Sequence, residues 1–154
     1  HRHRLRPCSI GRRYLLPARK LALMPRLSVF VVEDSPTIRQ NLIATLEELA
    51  PIDVVGYADD AEGAIAKLTG GAPPCDLAIV DVMLRRGSGV DVLKALKESN
   101  SPLKRVVLTN YATAMIREHC LALGADRVFD KSAEVESLLD YCEALAGDAP
   151  RRTS

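Results

Sequence analysis

Apolar runs of strand length alternate with amphipathic segments along most of the chain. Five runs predict β-strands, and they read LSVFVV, IDVVGYA, DLAIV, RVVLT and DRVFD. The segments that follow them predict helices, because apolar residues recur there at helical spacing, as at Ile38, Leu42, Leu46 and Leu49. Strands that alternate with helices form a parallel sheet covered on both faces. We therefore predict an α/β fold of three layers, α/β/α, with five parallel strands.

Capping and breaking residues mark the predicted helix boundaries. Ser35 is placed to cap the first helix, whose first position is Pro36. Gly124 is placed to cap the C-terminus of the fourth helix. Ser132 is predicted to cap the last helix. That helix would turn these side chains inward: Val135, Leu138, Leu139, Cys142 and Leu145.

Polar side chains stand where four of the five predicted strands end. They are Glu33 and Asp34 after the first strand, Asp81 after the third, Thr109 at the end of the fourth, and Asp130 and Lys131 at the end of the fifth. The carboxyl ends of parallel strands lie at one edge of the sheet, where such folds bind their ligands. We therefore expect these side chains to converge.

The convergence of Glu33, Asp34 and Asp81 predicts a cation site. Three carboxylates that lie close together cannot all stay ionised without a cation, and one lysine does not neutralise three acids. Oxygen ligands without His or Cys favour Mg²⁺ or Mn²⁺ over zinc. A carboxylate in such a site can attack phosphorus, while the metal and Lys131 neutralise phosphoryl oxygens and Thr109 donates a hydrogen bond.

Each of these residues, taken alone, also has a structural explanation. An acidic pair before Ser-Pro can cap and turn the chain, Thr is common in strands, and Lys is usually a solvated surface charge. The joint occurrence of these roles at separate strand ends favours the functional interpretation. The segment RRGSG matches neither GxGxxG nor a P-loop, so no nucleotide motif is present.

Four segments, VFVVEDS, LAIVDVMLRRGSG, VVLTNYA and VFDKS, resemble the receiver domain of bacterial two-component response regulators. The resemblance covers about residues 27 to 146. It implies a (βα)5, flavodoxin-like fold with strand order 2-1-3-4-5 and Asp81 as the phosphoacceptor. It also implies Mg²⁺ held by Asp34, Asp81 and the backbone carbonyl of Met83, with Glu33 helping through water. It further implies that Thr109 supplies the hydroxyl of the conformational switch and that Lys131 supplies the ammonium of the site.

The resemblance also implies the partners. The phosphoryl donor is expected to be a histidine kinase or a phosphotransfer protein, and a downstream protein target is expected to bind the face of the fourth helix, fifth strand and fifth helix. Only nine residues follow Leu145, so we expect a stand-alone receiver, monomeric or weakly dimeric, that is a signalling phosphoacceptor rather than an enzyme. The alternatives are an interaction module that takes no phosphate and, with less support, an aspartyl-phosphate phosphatase.

The sequence departs from the family pattern at three positions. Arg85 and Ser132 replace two common prolines, and Val128 stands where the family has its switch aromatic. Phe129 has the opposite strand parity and should face the other way. Tyr111 is the nearest large side chain after the switch hydroxyl, so we expect it to move with the fourth helix. The responding face is predicted to comprise Met115, Arg117, Arg127 and Tyr141.

Charge is distributed unevenly along the 154 residues. Residues 1–24 hold seven of the 21 Lys and Arg residues and no acid, whereas the remainder holds 14 basic and 20 acidic residues, a net charge of −6. We expect 1–24 to be a disordered basic leader, not native to the protein, followed by a receiver domain over 25–147 and a disordered tail over 148–154.

Amino-acid composition limits the kinds of partner and the cellular compartment that we expect. Aromatic residues make up only 4% of the chain and Trp is absent, which argues against direct nucleic-acid binding by base stacking. The four cysteines form no metal-binding spacing and indicate reduced thiols in the cytoplasm. No apolar run approaches the roughly 20 residues of a membrane span.

Overall fold

The computed structural model describes residues 21, 23–71 and 73–148. The predicted leader over 1–24 and tail over 148–154 lie outside these residues except at 21, 23, 24 and 148, and both stay predictions. Within the described part of the chain, no helix is long and apolar enough to cross a membrane.

Five parallel strands form a single sheet in the order β2-β1-β3-β4-β5. The strands are β1 (Leu27–Val32), β2 (Ile52–Ala58), β3 (Leu77–Val80), β4 (Lys104–Thr109) and β5 (Arg127–Asp130). The predicted fold class and strand order are therefore confirmed. Since the order reverses between β1 and β3, the carboxyl ends of these two strands flank the crevice where open α/β sheets bind ligands.

In the part of the chain from residue 27 to 148 that the structure describes, five helices alternate with these strands. They are α1 (Pro36–Leu49), α2 (Ala61–Gly70), α3 (Gly89–Glu98), α4 (Ala114–Ala122) and α5 (Val135–Asp148). Ser35 caps α1 as predicted, because its side chain accepts a hydrogen bond from the backbone N–H of Ile38, and Pro36 is the first helical residue. Gly124, at φ +104°, follows the end of α4, where only glycine adopts such a backbone freely.

Alternate strand residues fill the two sides of the sheet. Val29 and Val31 of β1 lie in one buried cluster with Leu46 of α1 and Leu138 of α5. Phe30 and Val32 lie in a second cluster, with residues of α2 and α3. A third cluster of buried residues packs α3 and α4 against the far strands and comprises Val82, Leu93, Val107, Cys120, Ala125 and Val128. The polar strand ends thus emerge from a sheet that is apolar on both faces.

The predicted cap at Ser132 is wrong. The hydroxyl and the backbone N–H of Ser132 both donate to Oδ1 of Asp130, and the N–H of Ala133 donates to the same oxygen. This turn occupies the residues after β5, so α5 begins only at Val135. Glu134 stands immediately before α5, and its carbonyl accepts the N–H of Leu138.

The predicted apolar stripe of α1 also fails at its first position. Ile38 is 42% exposed, whereas its neighbour Arg39 is 8% exposed. The side chain of Ile38 thus faces the surface at the start of α1. Ile38 therefore lines a surface groove with Lys131 and Val135.

Candidate functional site

The adjacent acids Glu33 and Asp34 point to different partners. Glu33 is almost fully buried, and its Oε2 accepts the backbone N–H of Ser35 at 3.1 Å. Asp34 turns toward the loop between β3 and α3, where its Oδ2 accepts the backbone N–H of Arg85 at 2.6 Å. Because each carboxylate has its own donors, the repulsion expected between neighbouring acids is relieved.

Lys131 lies between the buried carboxylates of Glu33 and Asp81. Its Nζ is 2.5 Å from Oε1 of Glu33 and 2.7 Å from Oδ2 of Asp81. The other oxygen of Asp81 accepts the backbone N–H of Met83 at 3.1 Å. The backbone N–H of Lys131 donates to the carbonyl of Thr109, which anchors the lysine to β4. Three of the predicted strand-end residues therefore form one ion-paired unit.

Burial and ion pairing shift the pKa values of Glu33 and Lys131 in opposite directions. Burial raises the pKa of Glu33 above its ordinary value, although the hydrogen bond from Lys131 opposes the shift. Burial by itself would lower the pKa of Lys131, but hydrogen bonds to Asp81 and Glu33 outweigh it, so this pKa is raised. Lys131 is accordingly held as a cation beside the expected phosphoacceptor.

The donor chemistry at this edge fits Mg²⁺, but the carboxylates are not gathered around one point. Carboxylate oxygens of Asp34 and Asp81 and the carbonyl of Met83 are hard ligands of the kind that Mg²⁺ or Mn²⁺ takes. Across the described residues, however, no group of three or more His, Cys, Asp and Glu side chains is placed to hold a metal. Lys131 pairs with two of the three predicted acids, and Asp34 faces the loop instead.

Thr109 and Tyr111 are joined directly. Thr109 is fully buried, and its Oγ1 accepts the backbone N–H of Tyr111 at 3.1 Å. The side chain of Tyr111 is exposed. This hydrogen bond ties the threonine hydroxyl to the backbone that leads into α4.

Val128 and Phe129 face opposite sides of the sheet, as predicted from strand parity. Val128 packs in the cluster that contains Leu93 and Val107. Phe129 packs on the other side, with its ring centroid 6.0 Å from that of Tyr141. No aromatic ring therefore extends from β5 toward α4 at the usual switch position.

Gly89 permits the close approach of α3 to the segment that carries Asp81. A Cβ at this position would lie 2.1 Å from the carbonyl oxygen of Asp81. The N–H of Gly89 donates to the carbonyl of Val82, and Ser88 donates its hydroxyl to the same oxygen. The two glycines of RRGSG carry the sequence signal for this close approach, although the segment matches no phosphate-loop motif.

Two arginines support the site in ways that the sequence did not reveal. Arg39 donates from Nη1 to the carbonyl of Glu33 at 2.8 Å. Arg117 of α4 donates to the carbonyl of Val128 at 2.9 Å and to Oε1 of Glu134 at 2.7 Å. Arg117, which we expect on the responding face, is half-buried against β5.

The chain matches a known family of signalling domains. The family model for the response regulator receiver domain matches residues 29–143. A probable transcriptional regulatory protein of Picosynechococcus is 30% identical over 128 residues, which are 80% of this chain and 50% of that protein. A protein-glutamate methylesterase/protein-glutamine glutaminase of Leptospira interrogans is 30% identical over 131 residues, 83% of this chain and 37% of that protein. The chain thus spans half or less of the length of these two relatives.

Solved structures show the same fold at low sequence identity. The response regulator domain of Thermotoga maritima CheB superposes with a TM-score of 0.69 at 20% identity, covering 81% of this chain and 99% of that one. A two-component response regulator of the LuxR family from Aurantimonas gives a TM-score of 0.72 at 18% identity, covering 82% and 89%. Together with the family match over most of its length, these likenesses show that the chain belongs to the response regulator receiver domains.

Proposed function

We propose that this receiver domain is a phosphoacceptor of a two-component phosphorelay and that Asp81 takes the phosphoryl group. The observation that carries the proposal is the position of Lys131, bonded to Asp81 and Glu33 at the carboxyl edge of the sheet. A buried ammonium beside a carboxylate nucleophile can pair with the oxygens of an incoming phosphoryl group. The donor is a phosphohistidine of a histidine kinase or of a phosphotransfer protein.

In the proposed transfer, an oxygen of Asp81 forms a bond to phosphorus as the P–N bond to the donor imidazole breaks. The electron pair of that bond leaves with the imidazole nitrogen, which takes up a proton from solvent. Lys131 can pair with the transferred phosphoryl group, because its ammonium already contacts one carboxylate oxygen of Asp81. Bound Mg²⁺, or Mn²⁺, would neutralise phosphoryl charge, with Asp34, Asp81 and the carbonyl of Met83 as its protein ligands.

Output from the site is proposed to run through Thr109 and Tyr111 to the surface of α4, β5 and α5. A phosphoryl group on Asp81 offers Thr109 a new hydrogen-bond acceptor, and the backbone of Tyr111 is tied to that hydroxyl. A ligand shifts a conformational equilibrium only through contacts that differ between the two states, and this contact is one of them. The proposed recipient is a downstream protein target. The cytoplasmic location stays a prediction from the sequence.

Phosphate incorporation at Asp81 tests the proposal. The protein is incubated with Mg²⁺ and phosphoramidate, and the mass of one added phosphoryl group is measured. Asp81→Asn should abolish the gain. Asp53→Asn is the matched control, since Asp53 is an exposed aspartate at the opposite edge of the sheet. It should leave the gain unchanged.

Two results would contradict the assignment. The first is a mass gain that persists in Asp81→Asn, which would place the phosphoryl group elsewhere. The second is the absence of any gain in the unaltered protein with phosphoramidate and with a phosphorylated histidine phosphotransfer domain as donor. That result would favour the module that takes no phosphate.

A further inference from the structure

The peptide unit between Glu33 and Asp34 is held by a buried arginine. We infer that Arg39 is a positioning residue for the acidic pair Glu33 and Asp34. Its hydrogen bond fixes this peptide and so directs the two carboxylates to different sides. The consequence for metal binding rests on the proposed function. The claim that Arg39 fixes the peptide does not depend on that function.

The geometry of the peptide bond connects one hydrogen bond to both acids. The carbonyl of Glu33 and the N–H of Asp34 belong to the same planar unit. Arg39 donates to that carbonyl at 2.8 Å, and the N–H of Glu33 donates to the carbonyl of Ala58 at 3.1 Å. With the peptide plane fixed, the Cα–Cβ directions of both acids are restricted. Glu33 points to Lys131, and Asp34 points to the backbone of Arg85.

Arg39 is itself held in place. Its guanidinium lies 4.1 Å from the centroid of the Tyr57 ring, and its side chain is mostly removed from solvent. A planar guanidinium stacked on an aromatic face has a defined orientation that a lysine does not reproduce. Tyr57 belongs to β2, the neighbour of β1 in the sheet. The hydrogen bond to Glu33 is therefore made by a group with little freedom to move.

Two effects of Arg39 on a cation at this edge have opposite signs. Its positive charge disfavours a second cation nearby, and within the described residues no carboxylate pairs with it at 4 Å or less. Its hydrogen bond favours a cation, because it holds Asp34, an expected ligand, beside the loop that carries Met83, whose carbonyl is another. If charge dominates, removal of Arg39 tightens Mg²⁺ binding. If orientation dominates, as inferred, removal weakens it.

Amide exchange measures the orientation without reference to phosphate or metal. The N–H groups of Ser35 and Arg85 donate to the two carboxylates, so their exchange reports where these carboxylates point. In Arg39→Met, both amides should exchange about three- to tenfold faster, the loss expected for one hydrogen bond. The N–H of Asp76, bonded to the carbonyl of Ser28 at the other end of β1, is the internal reference and should not change. Equal acceleration of all three amides, or of none, would overturn the inference.

Two variants separate geometry from charge and from the aromatic contact. Arg39→Lys retains the charge but not the planar fork, so Ser35 and Arg85 should exchange nearly as fast as in Arg39→Met. Wild-type protection in Arg39→Lys would overturn the claim that geometry acts. Lys67→Met is the control, because Lys67 lies 6.0 Å from the centroid of the same Tyr57 ring and contacts neither acid. Its exchange pattern should equal that of the unaltered protein.

Calorimetric titration with Mg²⁺ gives the second measurement. Arg39→Met should bind Mg²⁺ about threefold or more weakly, the effect of losing one orienting hydrogen bond. Tighter binding would show that charge dominates and would overturn the inference. If the unaltered protein binds no Mg²⁺ and takes no phosphate, the proposed function fails, and the exchange of Ser35 and Arg85 still decides the role of Arg39.

Discussion

The carboxylate of Glu134 accepts the side chain of Arg117 at 2.7 Å and the backbone N–H of Asp130 at 2.8 Å. One acid before α5 thus joins α4 to the end of β5. Arg117 also donates to the carbonyls of Ala112 and Val128. Hydrogen bonds therefore connect α4 to β5 at the level where the family commonly has an aromatic ring.

The pair of Arg117 and Glu134 should contribute measurable coupling to stability. A double-mutant cycle with Arg117→Met and Glu134→Gln is expected to give a coupling free energy of about 1 kcal/mol in urea unfolding, because the pair is half-buried and shares Asp130. The matched control is Arg26 and Asp53, a more exposed pair at 3.0 Å. Its coupling should be about 0–0.5 kcal/mol. Equal coupling free energies in the two cycles would contradict the claim that the pair joining α4 to β5 is stronger than an exposed ion pair.

Acidic pH should weaken the connection between α4 and β5 that Arg117 and Glu134 form. The hydrogen bond from Arg117 is the main cause that lowers the pKa of Glu134 below its ordinary 4.5. The unfolded chain therefore takes up the proton first, so this contribution to the free energy of unfolding is present above pH 4.5 and is lost as the pH falls through the lowered pKa.

Urea unfolding over a series of acidic pH values tests this dependence. Glu134→Gln should flatten the fall in stability below the ordinary pKa of glutamate. A smaller slope should remain, because hydrogen bonds from Ser132 also lower the pKa of Asp130. An unchanged slope in Glu134→Gln would remove the glutamate from the pH response.

Removal of Lys131 should leave a buried charge uncompensated. Lys131→Met is expected to lower the free energy of unfolding by about 3–5 kcal/mol at neutral pH, since Glu33 stays buried without its ammonium partner. The pKa of Glu33, already raised by burial, should rise further. The loss should therefore be smallest below pH 4.5, where Glu33 is protonated in both states, and should grow as the pH rises.

A second substitution identifies the source of that loss. The double variant Glu33→Gln with Lys131→Met should be more stable at neutral pH than Lys131→Met alone. Lys104→Met, at an exposed position in β4, is the control and should cost less than about 0.5 kcal/mol. A double variant no more stable than the single one would contradict the buried-charge explanation.

Gly89→Ala should disturb the segment that carries Asp81. The added methyl group would lie 2.1 Å from the Asp81 carbonyl oxygen, far inside van der Waals contact, so α3 or the segment must shift, at about 1–3 kcal/mol or more. Gly70→Ala is the matched control, because its Cβ would meet no atom within 4 Å and the residue lies in the last turn of α2. It should be neutral or stabilising by up to about 1 kcal/mol. Thermal unfolding and the rate of phosphate incorporation measure both effects, and equal behaviour of the two variants would contradict the steric argument.

Tyr111 is expected to limit access of water to the phosphorylated site. Tyr111→Ala should shorten the lifetime of the acyl phosphate and reduce the change in amide exchange over residues 110–129 that a phosphate mimic induces. Leu121→Ala, an exposed apolar residue of α4, is the control and should leave both unchanged. Unchanged lifetime and exchange in Tyr111→Ala would leave the switch without an aromatic component.

The sequence was sufficient to predict the sheet and the residues at its carboxyl edge, because both follow from periodicity and from the geometry of parallel strands. It was not sufficient for the direction of each side chain. Asp34 is held by a backbone N–H of Arg85, 51 positions away, and a backbone donor has no residue signature. The exposed Ile38 and the buried Arg39 were missed for a related reason. A helical stripe does not show which of its positions the rest of the fold covers.

The ion pairs of Lys131 also determine when the site can form during synthesis. Lys131 lies 98 positions after Glu33 and 50 after Asp81. At roughly 5–20 residues per second, the ribosome adds this lysine about 5–20 seconds after Glu33. A nascent chain that already contains β1 to β4 therefore carries its acids without their shared cation. The last strand to emerge completes the ion-paired site, so a chain that stops before β5 lacks the ammonium on which the proposed phosphoryl transfer depends.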